Sequence, residues 1–258
     1  MKGKLVIGGK PKANKSYLVI NMALDMALGQ PIFRAFYSEN KPVFPVYRRN
    51  KVLYFENEIG EIGLQERLRA ITGGSDMGGC ELYIKSRDMH LRLDTDEGRA
   101  KMTVEIAAVQ PDVVILDPLA KYHLSDENSA QHMGMLGRVV DHWVEDFGIS
   151  VIYIHHTGHA DPKHPRRGGD QLRGSTALFA DADSVIIVER KSSESTKEPI
   201  IELSFELRRG EPMEPVYVKR LRSGVVRYEG ENLFAQERER ERSELPKARE
   251  IKPFGKDL

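Results

Sequence analysis

A short lysine-rich stretch near the N-terminus has the residue types and spacing of a phosphate-binding loop. In GGKPKANKSYL, Gly9 and the pair Lys15 and Ser16 fit the pattern Gly, four residues, Gly-Lys-Ser/Thr, but Asn14 replaces the second glycine. In such a loop, backbone N–H groups and a helix N-terminus converge on the anion, the lysine reaches the outer phosphates and the hydroxyl binds Mg²⁺. The stretch therefore predicts a nucleotide site, and a solvated lysine-rich turn is the alternative.

Asn14 is compatible with this prediction. The glycine usually found there lets the backbone turn tightly, and asparagine is the residue other than glycine that best tolerates a left-handed conformation. We therefore expect the whole loop to bind the nucleotide, through Gly9, Lys10, Pro11, Lys12, Ala13, Asn14, Lys15, Ser16 and Tyr17.

Acidic residues follow two apolar runs downstream of the loop. VVILD ends in Asp117, which could hold the water shell of Mg²⁺ or could instead cap a helix or turn. VLYFENE places Glu56 and Glu58 after another apolar strand, where a carboxylate could activate the water that attacks the γ-phosphate. The alternative for both glutamates is a solvated loop position.

The elements that would position these residues alternate between strands and helices. KLVIGG predicts a strand before the loop, and KSYLVINMALDMALG predicts a helix after it that ends at Gly29. Short Val- and Ile-rich runs separated by helical patterns are typical of strands buried in a parallel sheet, so we predict an α/β fold. ADSVIIVER, PIIELSFELRR, EPVYVKRLR and GVVRYEG predict an antiparallel meander added to the sheet edge.

Composition limits the classes of function. The 39 basic and 39 acidic residues cancel, so contact with nucleic acid must come from a local patch. A single cysteine, Cys80, excludes a disulfide framework within the chain and a cysteine-based zinc site, and it suits a reducing cytosol. No stretch approaches the roughly 20 apolar residues of a membrane span, and no signal peptide is evident. We expect a cytoplasmic protein without membrane contact.

One domain, residues 1–235, can contain all the predicted elements. From about Gln236 the sequence is charged and nearly free of large apolar residues. Such a composition cannot form a core, so residues 236–258 are predicted to be a tail that is disordered or ordered by a partner.

The order and spacing of the motifs resemble those of a known ATPase family. GGKPKANKSYL, VLYFENE with LQERL, VVILDPL, VIYIHHTGH, LRGSTALFADADSVIIVER and FELRRG are similar to motifs of the RecA-like ATPases. More specifically, the series resembles the RepA and DnaB group of hexameric replicative helicases, in the single-domain (AAA_25-like) type of plasmids and phages, from about Gly3 to Tyr228. It implies a RecA-like P-loop NTPase core, ATP and Mg²⁺ as cofactors, a hexameric homo-oligomer, and single-stranded DNA and replication proteins as partners.

The resemblance also implies roles for individual residues. Lys15 and Ser16 would bind the phosphates and Mg²⁺, Asp117 would be the Walker B acid and Glu58 the catalytic base. Glu58 is preferred over Glu56 because in the family the glutamate stands one residue beyond a short non-acidic linker, just before the helix with a Leu-x-x-Arg-Leu-like segment, here LQERL.

Two histidines end the strand that follows Asp117, where the family places a polar sensor of the γ-phosphate. We assign this role to His155, although His156 is its neighbour. Adjacent strand residues point to opposite faces and cannot easily bind one ion, but His159 and His164 keep a metal site open. A strand-end pair without a function is the remaining alternative.

The resemblance also implies roles for basic residues in the last third of the sequence, in DNA binding and in hydrolysis. The long loop HADPKHPRRGGDQLRGS corresponds to loops that hold single-stranded DNA through its phosphates. Arg208 and Arg209 would be offered to the ATP of a neighbouring subunit, although Glu206 stands where a lysine would precede the arginine. Ordinary solvated side chains are the alternative for both sets. The DNA-binding candidates are Lys163, Arg166, Arg167 and Arg173.

The leading hypothesis is a ring-forming, Mg-ATP-dependent motor on single-stranded DNA, a replicative-type helicase. The alternative is a RecA-like ATP-binding regulator or recombination accessory protein without unwinding activity. The missing loop glycine and the short chain, which has no room for a separate DNA-binding domain, favour that alternative. A binding module that has lost hydrolysis is a third hypothesis.

Overall fold

One sheet contains every strand of the part of the chain that the structure describes. The computed structural model describes residues 2–34, 42–86, 90–125, 129–156, 180–193 and 195–231. Six strands are parallel, namely β1 (Lys4–Gly9), β2 (Val52–Glu56), β3 (Leu82–Ser86), β4 (Val113–Asp117), β5 (Ser150–His156) and β6 (Ser184–Arg190). Three antiparallel strands follow, namely β7 (Ile200–Leu207), β8 (Val216–Arg220) and β9 (Val226–Glu231). Their order is β3-β2-β4-β5-β1-β6-β7-β8-β9.

Helices cover both faces of the parallel strands, as expected for an α/β fold. The helices are α1 (Lys15–Leu28), α2 (Glu61–Thr72), α3 (Asp96–Val109) and α4 (Ala130–Phe147). Side chains alternate along each strand, so Ile115 of β4 packs in the cluster with α1 and α2, and Leu116 packs in the cluster with α3 and α4. Side-chain caps begin α3 and α4, where Thr95 accepts from the Gly98 N–H and Ser129 accepts from the His132 N–H.

The predicted α/β fold with a mostly parallel sheet and a C-terminal antiparallel extension is confirmed. One detail needs correction, because the first run of the predicted meander, ADSVIIVER, forms β6, which pairs in parallel with β1. The chain between His156 and Ser184 exceeds the dozen or so residues that a parallel crossover needs, whereas the short β6–β7 connection allows only antiparallel pairing. The antiparallel part therefore begins at β7.

The structure bears on one prediction about the chain as a whole, which concerns membrane spans, and leaves the domain boundary and the tail untested. Within the described ranges, no helix is long and apolar enough to cross a membrane. The cytoplasmic location stays a prediction. The boundary at residue 235 and the tail, residues 236–258, lie outside the described residues.

Candidate nucleotide site

The loop between β1 and α1 turns sharply at two left-handed residues. Asn14 has φ 70° and ψ 21°, and Lys12 has φ 65°. Asparagine tolerates this conformation better than other residues that have a side chain, which explains how it replaces the usual glycine. Glycine is needed at position 9 for a different reason, because a Cβ atom there would lie 2.6 Å from the backbone oxygen of Val188 in β6. The loop is therefore packed closely against the sheet.

Lys15 lies inside the turn of the loop. Its Nζ donates to the backbone oxygens of Gly9 at 2.7 Å and Lys10 at 2.9 Å, and it lies 3.3 Å from Nδ1 of His156. Burial lowers the pKa of Lys15 to about 8, against the opposing effect of the carboxylates of Asp117 and Glu58. The ammonium group is thus placed where phosphates would meet the loop, next to the acids of the site.

Asp117 ends β4 on the same face of the sheet as α1 and is 1% exposed. The pKa of Asp117 is raised to about 6, mainly because the carboxyl group is buried. The nearby hydroxyls of Tyr54 and Ser16 act to lower the pKa, and the charges of Glu58 and Glu56 act to raise it. Tyr54 donates its hydroxyl hydrogen to Oδ2 at 2.5 Å.

The other carboxylate oxygen of Asp117 is suited to a cation. Oδ1 is buried without a hydrogen-bond partner among the residues that the structure describes. A buried carboxylate oxygen near a serine hydroxyl is the kind of ligand that Mg²⁺ prefers. Ser16 and Asp117 therefore fit the metal that the sequence predicts.

Glu56 and Glu58 have different environments. Glu56 is fully buried, and its carboxylate accepts the backbone N–H groups of Glu58 at 2.7 Å, of Ile59, and of Gly60 at 2.9 Å. The Ser86 hydroxyl donates to it at 3.2 Å. Glu56 is therefore occupied in holding the turn that leads into α2, which leaves Glu58 as the better-placed carboxylate for activating water.

A cavity of about 270 Å³ brings together Glu58, Asp117 and most of the residues predicted to bind the nucleotide. It lies at the edge where the parallel strands end, which is where α/β proteins bind their ligands. A second cavity of about 440 Å³ lies between the start of the loop, Gly9 to Ala13, and the end of β6. The first cavity is lined by Lys12, Ala13, Asn14, Lys15, Ser16, Tyr17, Glu58, Arg67, Asp117, Ile154 and Arg190.

Arg67 and Arg190 were not predicted from the sequence. Arg67 extends from α2, and its guanidinium carbon lies 4.5 Å from the centroid of the Tyr17 ring. Arg190 ends β6 and donates to the backbone oxygens of Ser193 at 2.7 Å and Thr196 at 3.0 Å. Two sequence features could have identified them, namely the arginine of LQERL and the position of Arg190 at the end of an apolar strand.

The structure brings His156, not His155, to the phosphate loop. Ile154 lines the cavity, and side chains alternate along β5, so His156 shares that face and reaches Lys15. His155 is 1% exposed and lies on the opposite face. The assignment of a phosphate sensor to His155 is corrected accordingly. Within the described ranges, no group of three or more His, Cys, Asp or Glu side chains could hold a metal ion, and His159 and His164 lie outside those ranges.

Arg208 and Arg209 are not close to the phosphate loop of their own chain. They follow β7, which runs antiparallel to β6, so they lie at the opposite edge of the sheet. The register of β1 and β6 separates the two edges by four residues, or about 13 Å. Arg208 donates to the backbone oxygen of Ala180 at 2.7 Å. The DNA-binding candidates Lys163, Arg166, Arg167 and Arg173 lie outside the described residues.

The strand order, the loop between β1 and α1 and the buried acid at the end of β4 define a P-loop NTPase, a class whose members usually bind a nucleoside triphosphate with Mg²⁺. A family model described as an AAA domain, AAA_25, matches residues 1–162. The match spans more than half of the chain and includes the loop, Glu58 and Asp117, so the protein belongs to this family of RecA-like P-loop ATPases. No curated protein matches the sequence.

Proposed function

We propose that the protein is a Mg-ATP-dependent DNA motor that forms a ring and acts on single-stranded DNA, as replicative-type helicases do. The observation that carries the ATPase part is the meeting of Lys15, Ser16, Glu58 and Asp117 around one cavity. These residues come from the loop, from the turn before α2 and from the end of β4. Each supplies a group that phosphoryl transfer to water requires.

Each of these residues has a distinct part in hydrolysis. Lys15 exchanges its bonds to the loop oxygens for bonds to the outer phosphates. Ser16 and Asp117 hold Mg²⁺, which offsets phosphate charge when bound. Glu58 accepts the proton of the attacking water, and the bonds from Glu56 to the following turn fix its position.

The position of Arg208 and Arg209 supports the proposed ring. Both lie at the edge of the sheet opposite their own phosphate loop, so a part in hydrolysis requires the loop of another copy of the chain. Such an arginine neutralises charge that develops in the transition state and is worth about 10³-fold or more in rate. A homo-oligomer, a hexamer by resemblance, would place one ATP between each pair of neighbours.

Single-stranded DNA as the partner rests on the resemblance and on the basic sequence segment between β5 and β6. Its candidates Lys163, Arg166, Arg167 and Arg173 suit contact with DNA phosphates, independent of sequence. The segment that carries them begins directly after His156, whose Nδ1 lies 3.3 Å from Nζ of Lys15.

A second candidate function is an ATP-binding regulator or recombination accessory protein without unwinding activity. Asn14 in place of the usual glycine supports it, because the phosphate loop departs from the standard pattern at this position.

Strand displacement on a forked DNA duplex separates the two functions. A helicase displaces the strand with Mg-ATP and loses this activity in Lys15→Ala. ATP-dependent binding to DNA without displacement would support the regulator. Gel filtration with ATP tests the ring, since a strict monomer would leave Arg208 and Arg209 without a neighbouring site.

A further inference from the structure

Arg67 lies on an aromatic ring inside the nucleotide cavity. Its guanidinium stacks on Tyr17 with 4.5 Å between the guanidinium carbon and the ring centroid, and Arg220 of β8 lies against the same ring at 4.8 Å. Tyr17 directly follows Ser16, the proposed Mg²⁺ ligand. Arg67 also lines the same cavity as Lys15, Ser16 and Asp117, so it faces the space proposed for the phosphates.

The cations that line this cavity differ in what their N–H groups bind. Lys15 donates to the loop oxygens, and Arg190 donates to backbone oxygens of the β6–β7 connection. Lys12 is exposed to solvent. Arg67 is half-buried and makes no hydrogen bond or ion pair with any residue that the structure describes, since its contact is the Tyr17 ring. Its five N–H donors are thus available for a ligand.

The charge of the cavity favours an anionic ligand. Lys12, Lys15, Arg67 and Arg190 outnumber the two acids, Glu58 and Asp117, so the lining has a net positive charge. A guanidinium bound to phosphate makes paired, charge-assisted hydrogen bonds, which are stronger than stacking on an aromatic ring. A phosphate within reach would therefore draw Arg67 away from Tyr17.

We propose that Arg67 binds the terminal phosphate of the nucleoside triphosphate in its own chain and so distinguishes the triphosphate from the diphosphate. The proposal rests on the nucleotide site proposed above. Arg67 lies in α2, and Glu58 lies in the turn just before that helix, so both side chains reach the cavity from one segment of the chain.

Equilibrium binding of a non-hydrolysable ATP analogue and of ADP, both with Mg²⁺, tests this proposal. We expect Arg67→Ala to weaken the analogue by about 10- to 100-fold and ADP by less than about 3-fold, because one charge-assisted contact to the terminal phosphate is lost. The matched control is Arg69→Ala, which removes an exposed arginine two residues further along α2 and should leave both affinities unchanged.

Two results would overturn the proposal, namely an equal loss for both nucleotides and no loss for either. Failure of the unchanged protein to bind either nucleotide would instead overturn the proposed nucleotide site. If Arg67→Ala does not fold, Arg67→Lys decides alone. Its ammonium keeps the charge without the paired geometry, so it should weaken the analogue several-fold more than ADP. The unchanged ratio of affinities in Arg67→Lys would then refute the proposal.

Discussion

Replacing the buried acid of the site should stabilise the protein when nucleotide is absent. Asp117 is 1% exposed, and burial raises its pKa from 3.8 to about 6. The folded chain therefore binds the proton more tightly than the unfolded chain, and stability is lost as the pH rises from about 4 through about 6. At pH 7.5 the ionised carboxylate costs the folded state about 3 kcal/mol, which is the free energy of that pKa difference.

Asp117→Asn removes this cost while keeping a similar shape. The amide oxygen can still accept the hydrogen of the Tyr54 hydroxyl, which is 2.5 Å from the carboxylate. We expect the free energy of unfolding at pH 7.5 to increase by about 1 to 3 kcal/mol. The increase should shrink toward zero near pH 4, where Asp117 is protonated in the folded chain.

Urea denaturation at several pH values, without nucleotide or Mg²⁺, measures this difference. Asp112→Asn is a control that should change stability in the opposite direction. Asp112 is partly buried, but Arg48 binds its carboxylate at 2.6 Å and its pKa is lowered. That variant should lose stability at pH 7.5. A loss of stability in Asp117→Asn, or a gain that does not change between pH 4 and 7.5, would refute the reasoning.

Three further predictions concern the loop, the two glutamates and the DNA contact. Asn14→Gly should preserve or improve ATP affinity in equilibrium binding, since glycine adopts φ 70° without strain, and a large loss would reveal a role of the asparagine side chain. Glu56→Gln should destabilise the fold by about 1 to 3 kcal/mol in urea denaturation, whereas Glu58→Gln should change stability by less than about 0.5 kcal/mol and slow hydrolysis at least about 10²-fold. Equal effects of the two substitutions would contradict the distinction. Affinity for single-stranded DNA, measured by fluorescence anisotropy, should fall steeply between 50 and 200 mM salt, and a flat dependence would exclude contact through phosphates.

The sequence predicts those features that local pattern determines. The glycine, lysine and serine of the loop have a fixed spacing, and Asp117 ends an apolar strand, so both could be placed without the structure. That asparagine is tolerated at position 14 could also be judged from residue type alone. The direction of β6 could not, because an apolar strand has the same pattern in a parallel and in an antiparallel pair.

Other parts of the site depend on tertiary contacts that a sequence pattern does not contain. Whether His155 or His156 faces the phosphate loop depends on the register of β5 in the sheet. A shift of one residue would move each side chain to the opposite face. Arg67 enters the cavity only because α2 packs beside α1, on the Tyr17 side. Glu56 is distinguished from Glu58 by backbone N–H groups of a turn whose shape follows from the fold.

The rate of phosphate release from Mg-ATP, measured with and without single-stranded DNA, tests the proposed motor most directly. We predict turnover that single-stranded DNA increases, and loss of that turnover in Lys15→Ala and Glu58→Ala. Arg69→Ala, which alters an exposed side chain, should keep the rate of the unchanged protein. Tight binding of ATP without turnover, or turnover that DNA does not change, would contradict a DNA motor.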